Sequence, residues 1–212
     1  MRQYGKIDQL LMQLDQGLRT SFSPQRHAER PSPAIGMEEG TLSEQQRKHA
    51  AGLMRINHTG EVCAQALYYG QAATAKDEHT KQHMEHAAVE ETDHLVWCEQ
   101  RLDKLDASPS VFNPAFYAGS FAIGALAGLS GDRTSYGFVV ETERQVEAHL
   151  EGHLQALPQA DQASLAVVQQ MMHDEARHAD EAEDQGGQRL PRPVQGIMQL
   201  CANVMREISY RW

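Results

Sequence analysis

Two short stretches hold the residues best suited to chemistry: Glu90-Glu91-Thr92-Asp93-His94 and Asp174-Glu175-Ala176-Arg177-His178. In each, a Glu stands three residues before a His. On a helix those positions lie one turn apart on one face, so carboxylate and imidazole point the same way. With 29 acidic residues and 11 His in the chain, one such pair means little. Two pairs mean more, because each has a further Glu upstream at nearly the same separation: Glu61 is 30 residues before Glu91, and Glu143 is 32 before Glu175. Carboxylates with a few imidazoles suit iron or manganese, whereas structural zinc favours Cys or more His. Four Glu and two His make the ligand set of a di-iron or di-manganese four-helix bundle. The expected ligands are Glu61, Glu91, His94, Glu143, Glu175 and His178. Glu91 and Glu175 stand next to a terminal His and are the expected bridges. Glu61 and His94 then belong to one metal, Glu143 and His178 to the other.

A metal-bound His usually donates its other N–H to a carboxylate. Glu90 and Asp174 each precede a bridging Glu and point about 100° away from it. They therefore miss their own helix's ligand face and can reach across to the other half. The expected pairs are Asp174 with His94 and Glu90 with His178. His149, six residues after Glu143, is a candidate proton-handling residue or else a satisfied core histidine. His79, His83 and His86 share a helix face near a turn and are expected to be exposed.

The elements that must position these residues can be read from the same spacing. Residues facing each other in a helix hairpin have the turn midway between them. The midpoints fall at Lys76-Asp77-Glu78 and within Leu157-Pro158-Gln159-Ala160-Asp161, where Pro158 breaks the helical pattern. Ser43-Glu44-Gln45-Gln46 is a capping box opening a helix to about Ala75. Further helices are expected over His79–Leu105, Thr134–Ala156 and Asp161–Gln185, the last stopped by Gly186-Gly187. Val194–Tyr210 repeats apolar residues at helical spacing and is expected to cover the bundle or form an oligomer contact. Ile7–Leu18 reads as a short amphipathic helix on the bundle, and 21–40 as a polar linker. Residues 107–131 contain no charged side chain. That run is either a buried crossover helix or a surface for lipid. Gly60 inside a helix costs stability, a cost that a close approach by a neighbour or a substrate could justify. The fold class is all-α, a four-helix bundle with extra connecting and C-terminal helices, divided into 1–45 (helix and linker) and 46–212 (bundle).

Composition excludes several classes. Net charge is −10 and no basic cluster appears, which argues against nucleic acid. Cys63, Cys98 and Cys201 show no C-x-x-C spacing and read as reduced core thiols. The N-terminus lacks an apolar signal core, and Asp8 fits a transit peptide poorly. No Gly-x-Gly-x-x-Gly or phosphate loop is present, so electrons must come from outside the chain.

The set Arg55-Ile56-Asn57-His58-Thr59-Gly60-Glu61-Val62, Glu90-Glu91-Thr92-Asp93-His94-Leu95, the run Val140–His149, and Asp174–Asp180 resembles the demethoxyubiquinol hydroxylase family of ubiquinone biosynthesis. The likeness covers roughly residues 46 to 212. It implies a ferritin-like fold with two Fe ions per chain, a polyprenyl quinol substrate, and O2-dependent hydroxylation of its ring. It also implies peripheral attachment to a membrane; without a mitochondrial presequence, the expected place is the cytoplasmic face of a bacterial cell membrane. No catalytic residue beyond the metal ligands is expected. The electron source would be the quinol or an NADH-linked reductase, and a homo-oligomer or other ubiquinone-biosynthesis proteins are expected partners. An iron store or a peroxide-scavenging di-metal protein would use the same ligands without needing the uncharged stretch, and a metal-free helical module would need none of them.

Overall fold

The structure, a computed structural model, describes residues 16, 17, 20 and 27–212. Six helices are delimited in it: α1 (Glu44–Thr74), α2 (Glu78–Lys104), α3 (Asn113–Leu129), α4 (Asp132–Ala156), α5 (Gln162–Asp184) and α6 (Arg192–Arg211). No strand occurs among the described residues. Both expected turns are there, at 75–77 and 157–161. The helix expected over 7–18 lies almost wholly outside the described residues.

Local chemistry sets the helix ends. Ser43 caps α1 by accepting from the Gln46 N–H, and the Gln46 side chain returns the bond to the Ser43 backbone. Asp161 caps α5 by accepting from the Ser164 N–H. Gly186, at φ +83°, lets the chain leave α5 in the left-handed region.

α1 and α2 form one hairpin and α4 and α5 the other, with α3 crossing between them. The core has two apolar clusters separated along the bundle axis. One includes Leu53, Met54, Trp97, Leu102, Leu150 and Met171; the other includes Tyr68, Met84, Ala88, Tyr136 and Ala182. On each of the four helices the expected ligands fall between these clusters, which flank the polar layer at both ends.

α3 lies along α1 through small residues. A Cβ on Gly124 would sit 2.2 Å from the Leu67 carbonyl oxygen, and one on Gly70 2.2 Å from that of Phe121. The close approach leaves no room for the outer half of α3 to bury. Tyr117, Gly124, Ala127 and Gly128 face the bundle, whereas Ile123, Leu126 and Leu129 are exposed. α3 is therefore more than a buried crossover.

Four expectations need correction. α6 is a poor cover: its only buried residue is Ser209, and Ile197, Leu200 and Val204 are exposed. Its C-terminal end is pinned by Tyr210, whose hydroxyl meets His49 Nδ1 at 2.7 Å and whose carbonyl accepts from Arg55 at 3.0 Å. That leaves the apolar stripe facing outward. Cys201 rides on this stripe and is exposed rather than core. The described part of the 21–40 segment, from residue 27, is not a free linker, because Ala28 and Ala34 pack on the first apolar cluster. His79 and His86 are exposed as read, but His83 is half-buried, 3.1 Å from the Tyr136 hydroxyl.

Candidate metal centre

Midway along the bundle, α1 supplies Glu61, α2 Glu91 and His94, α4 Glu143, and α5 Glu175 and His178. All six are buried, Glu91 and His94 completely. His94 Nδ1 lies 2.9 Å from Glu91 Oε2, 3.2 Å from Glu175 Oε1 and 3.6 Å from Glu61 Oε2. His178 Nδ1 lies 3.4 Å from Glu91 Oε1 and 3.5 Å from Glu175 Oε2. Glu91 and Glu175 thus each face both imidazoles, while Glu61 stands on the His94 side. One atom each from Glu61, Glu91, His94 and Glu175 lie within 4.8 Å of one another, and so do atoms from Glu143, Glu175 and His178.

This arrangement is costly without a cation. Burial, with the neighbouring Glu91 and Glu175 charges, pushes Glu61 well above the usual carboxylate range. Burial and Glu175 do the same to Glu143. Burial also opposes the charge on Glu91, but the His178 and His94 imidazoles hold it low. Buried polar atoms are ordinarily paired. Both carboxylate oxygens of Glu91, Glu143 Oε2 and the Nδ1 atoms of His94 and His178 have no hydrogen-bond partner among the described residues. Convergent carboxylate oxygens and imidazole nitrogens, mutually close and unsatisfied, suit divalent cations. The cluster could hold a metal.

The outer nitrogens of the two His are also engaged. His94 Nε2 meets Asp174 Oδ2 at 3.0 Å, and His178 Nε2 lies 3.4 Å from Glu90 Oε2. Each carboxylate reaches across to the other hairpin's His. Asp174 is held at about 2: its burial is outweighed by the hydrogen bond to His94 and the Arg30 guanidinium. Sequence reasoning missed Tyr68, whose hydroxyl donates to Glu143 Oε1. Its position seven residues after Glu61, on the same helix face, was the available signal. It also missed Arg30, for which the sequence offers no periodic signal.

The structure does not bring His149 into this group. Its ring packs edge-on against His153, with centroids 3.9 Å apart. Burial, then His153 and Arg206, pushes His149 down to about 2; burial, then Arg206 and His49, pushes His153 down to about 4. Both are held neutral in the fold, while an unfolded His takes a proton near pH 6.5. Their contribution to stability is complete above about pH 6.5 and is lost as pH falls below it. Between pH 7 and 5 each is expected to cost roughly 2 kcal/mol. His153→Gln should flatten the drop in melting temperature over that range; a drop as steep as the wild type's would show that the pair does not govern it.

A helical bundle closed around a buried, carboxylate-rich, two-histidine cluster defines a ferritin-like protein with a candidate two-metal site. The chain belongs to the family of ubiquinone biosynthesis protein COQ7, whose family model matches residues 48–209. Relatives named 3-demethoxyubiquinol 3-hydroxylase are similar along nearly the whole chain. One from Xanthomonas euvesicatoria pv. vesicatoria (strain 85-10) is 56% identical over 210 residues, covering 99% of this chain and 96% of the relative. One from Xanthomonas campestris pv. campestris (strain 8004) is 56% identical over 211 residues, 100% and 97% of the two chains. One from Pseudomonas putida (strain GB-1) is 54% identical over 210 residues, 99% and 98%.

Proposed function

We propose that this chain is a 3-demethoxyubiquinol 3-hydroxylase, an O2-dependent monooxygenase of ubiquinone biosynthesis. The observation that carries the reading is the buried Glu/His cluster with its unpartnered Glu91 oxygens and Nδ1 atoms. The relatives' names supply the substrate class. Two iron ions would be held by Glu61, Glu91, His94, Glu143, Glu175 and His178, with Glu91 and Glu175 shared. Bound iron supplies the activation of O2 that the side chains lack. The chain's own residues do the rest. The two apolar clusters exclude bulk water from the polar layer. Asp174 and Glu90 hold the outer nitrogens of His94 and His178, leaving Nδ1 to face the ligand layer. Tyr68 holds a proton against Glu143 Oε1 at the edge of the same layer. Residues 46–212 carry this machinery as one domain. Electrons come from the quinol or an external reductase.

The test is iron content per chain, followed by O2-dependent hydroxylation of a demethoxyquinol. Iron bound without hydroxylation, or turnover of H2O2 in its place, would favour the storage or peroxide-scavenging alternatives.

The same reading includes attachment to a membrane surface, at the cytoplasmic face of a bacterial cell. No described helix is long and apolar enough to cross a membrane. A polyprenyl quinol partitions into lipid, and α3 with the two residues before it leaves Val111, Phe112, Ile123, Leu126 and Leu129 exposed. Phe116, on the same helix, is half-buried. Leu126→Asp and Phe116→Asp are expected to cut liposome binding and quinol turnover severalfold while leaving iron content unchanged. Wild-type liposome binding and turnover in both variants would remove the membrane role from α3.

A further inference from the structure

We infer that Arg30 is a positioning residue of the metal centre: it cross-braces α2 and α5 at the His94 end and makes the two halves of the centre unequal. The inference rests on the metal site proposed above. Arg30 precedes the family-matched region and belongs to the 27–42 segment. Its Nε lies 2.6 Å from Asp93 Oδ2 and its Nη1 2.9 Å from Asp174 Oδ2. Asp93 is on α2, next to His94; Asp174 is on α5, next to Glu175. One guanidinium therefore ties together two buried carboxylates from opposite hairpins, a geometry that suits its planar fork.

The brace is fixed from several sides. The Glu29 backbone N–H donates to Asp93 Oδ1 at 2.7 Å. Trp97 Nε1 donates to the Arg30 carbonyl at 3.3 Å, and the guanidinium carbon stands 4.9 Å from the centre of the Trp97 ring. Trp97 in turn packs 5.4 Å from the His94 ring. Gln170 donates to the other Asp174 oxygen at 3.2 Å. Both oxygens of Asp174 are thus committed, and His94 cannot turn without breaking the relay from Arg30 through Asp174.

The other half has the same parts in a looser form. Glu90 Oε2 is 3.4 Å from His178 Nε2, and Arg177 Nη2 is 3.8 Å from Glu90 Oε1. The Arg177 guanidinium also leans on His178 Nε2 at 3.2 Å, so it competes with Glu90 for that nitrogen. Glu90, His178, His83 and Glu181 line a surface cleft. His94 has no such exposure. A metal at the His94 end would therefore be held by the tighter relay, and one at the His178 end would lie beside that cleft.

The experiment is release of iron from the loaded full-length protein to an excess of a strong ferrous chelator, followed by stopped-flow absorbance. Two phases of similar amplitude are expected in the wild type. Arg30→Met, which keeps an unbranched side chain without the charge, should speed the slow phase about 10- to 100-fold, the usual range for losing an outer partner of a metal-bound His. The fast phase should stay within about twofold. Arg30→Lys, which retains the charge but not the fork, should fall between. In an Asp174→Asn background, Arg30→Met should add little. Single-phase release in the wild type, or equal acceleration of both phases by Arg30→Met with a matching fall in apoprotein melting temperature, would overturn the inference in favour of a plain structural strap. Failure of the wild type to bind iron at all would instead overturn the metal site.

Discussion

Glu175→Ala is expected to lose most of the iron and to lower hydroxylation about a thousandfold or more, since the metals contribute several kcal/mol of barrier lowering. Glu175 is the side chain common to both groups of candidate ligand atoms and lies within 3.5 Å of both imidazoles. Removing it would strip an anionic ligand from each proposed metal at once. The fold should survive, because the helices are held together by the apolar clusters on either side of the polar layer. Helical circular dichroism close to wild type with little iron is the expected pair of readings. Full iron occupancy in Glu175→Ala would sink the ligand assignment.

Gly124→Val is expected to cost a large share of the fold's stability. Any Cβ there would press on the Leu67 backbone, which cannot move aside like a flexible side chain. α3 would have to lift from α1, with loss of about 3 kcal/mol or more. Gly119, on the same helix, meets no described atom within 4 Å, and Gly119→Ala is expected to be neutral or stabilising by up to about 1 kcal/mol. Urea midpoints of the two variants measure the difference. A Gly124→Val midpoint close to wild type would mean that α3 is not seated on α1 as described.

Much of the bundle was legible because its signals are local and periodic. Ser43 and Gln46 announce the start of α1, Pro158 the second hairpin turn, and Gly186 the end of α5. The near-equal separations of Glu61 from Glu91 and Glu143 from Glu175 place two turns as well as six candidate ligands. The cross-pairing of Asp174 and Glu90 could be reasoned from helix geometry alone, since neighbours on a helix diverge in direction. What stayed hidden depends on contacts without a period. Arg30 sits in irregular chain, and nothing in the order of residues says that its guanidinium reaches two helices. His149 looked near the site by residue count, but a shift of six residues from Glu143 carries it almost two turns down α4 to His153. α6 has the apolar repeat of a buried helix, yet repeat alone cannot say which way the stripe faces. The Tyr210 contacts decide that, and they are long-range.

The two hairpins repeat each other at an offset of 82 to 84 residues, and the ligand cluster lies on the seam between them. Neither hairpin carries a complete set: His94 leans on Glu175 from the opposite half, and His178 on Glu91. Direct approach of α2 to α5 is otherwise slight. Capture of the proposed ions would then add to the mating of the halves, with stability rising by RT ln(1 + [L]/Kd) as free metal rises. In a cell starved of that metal, the ion's scarcity would be felt first as a seam that opens more often. The protein's lifetime, as well as its turnover, would then track the supply of metal.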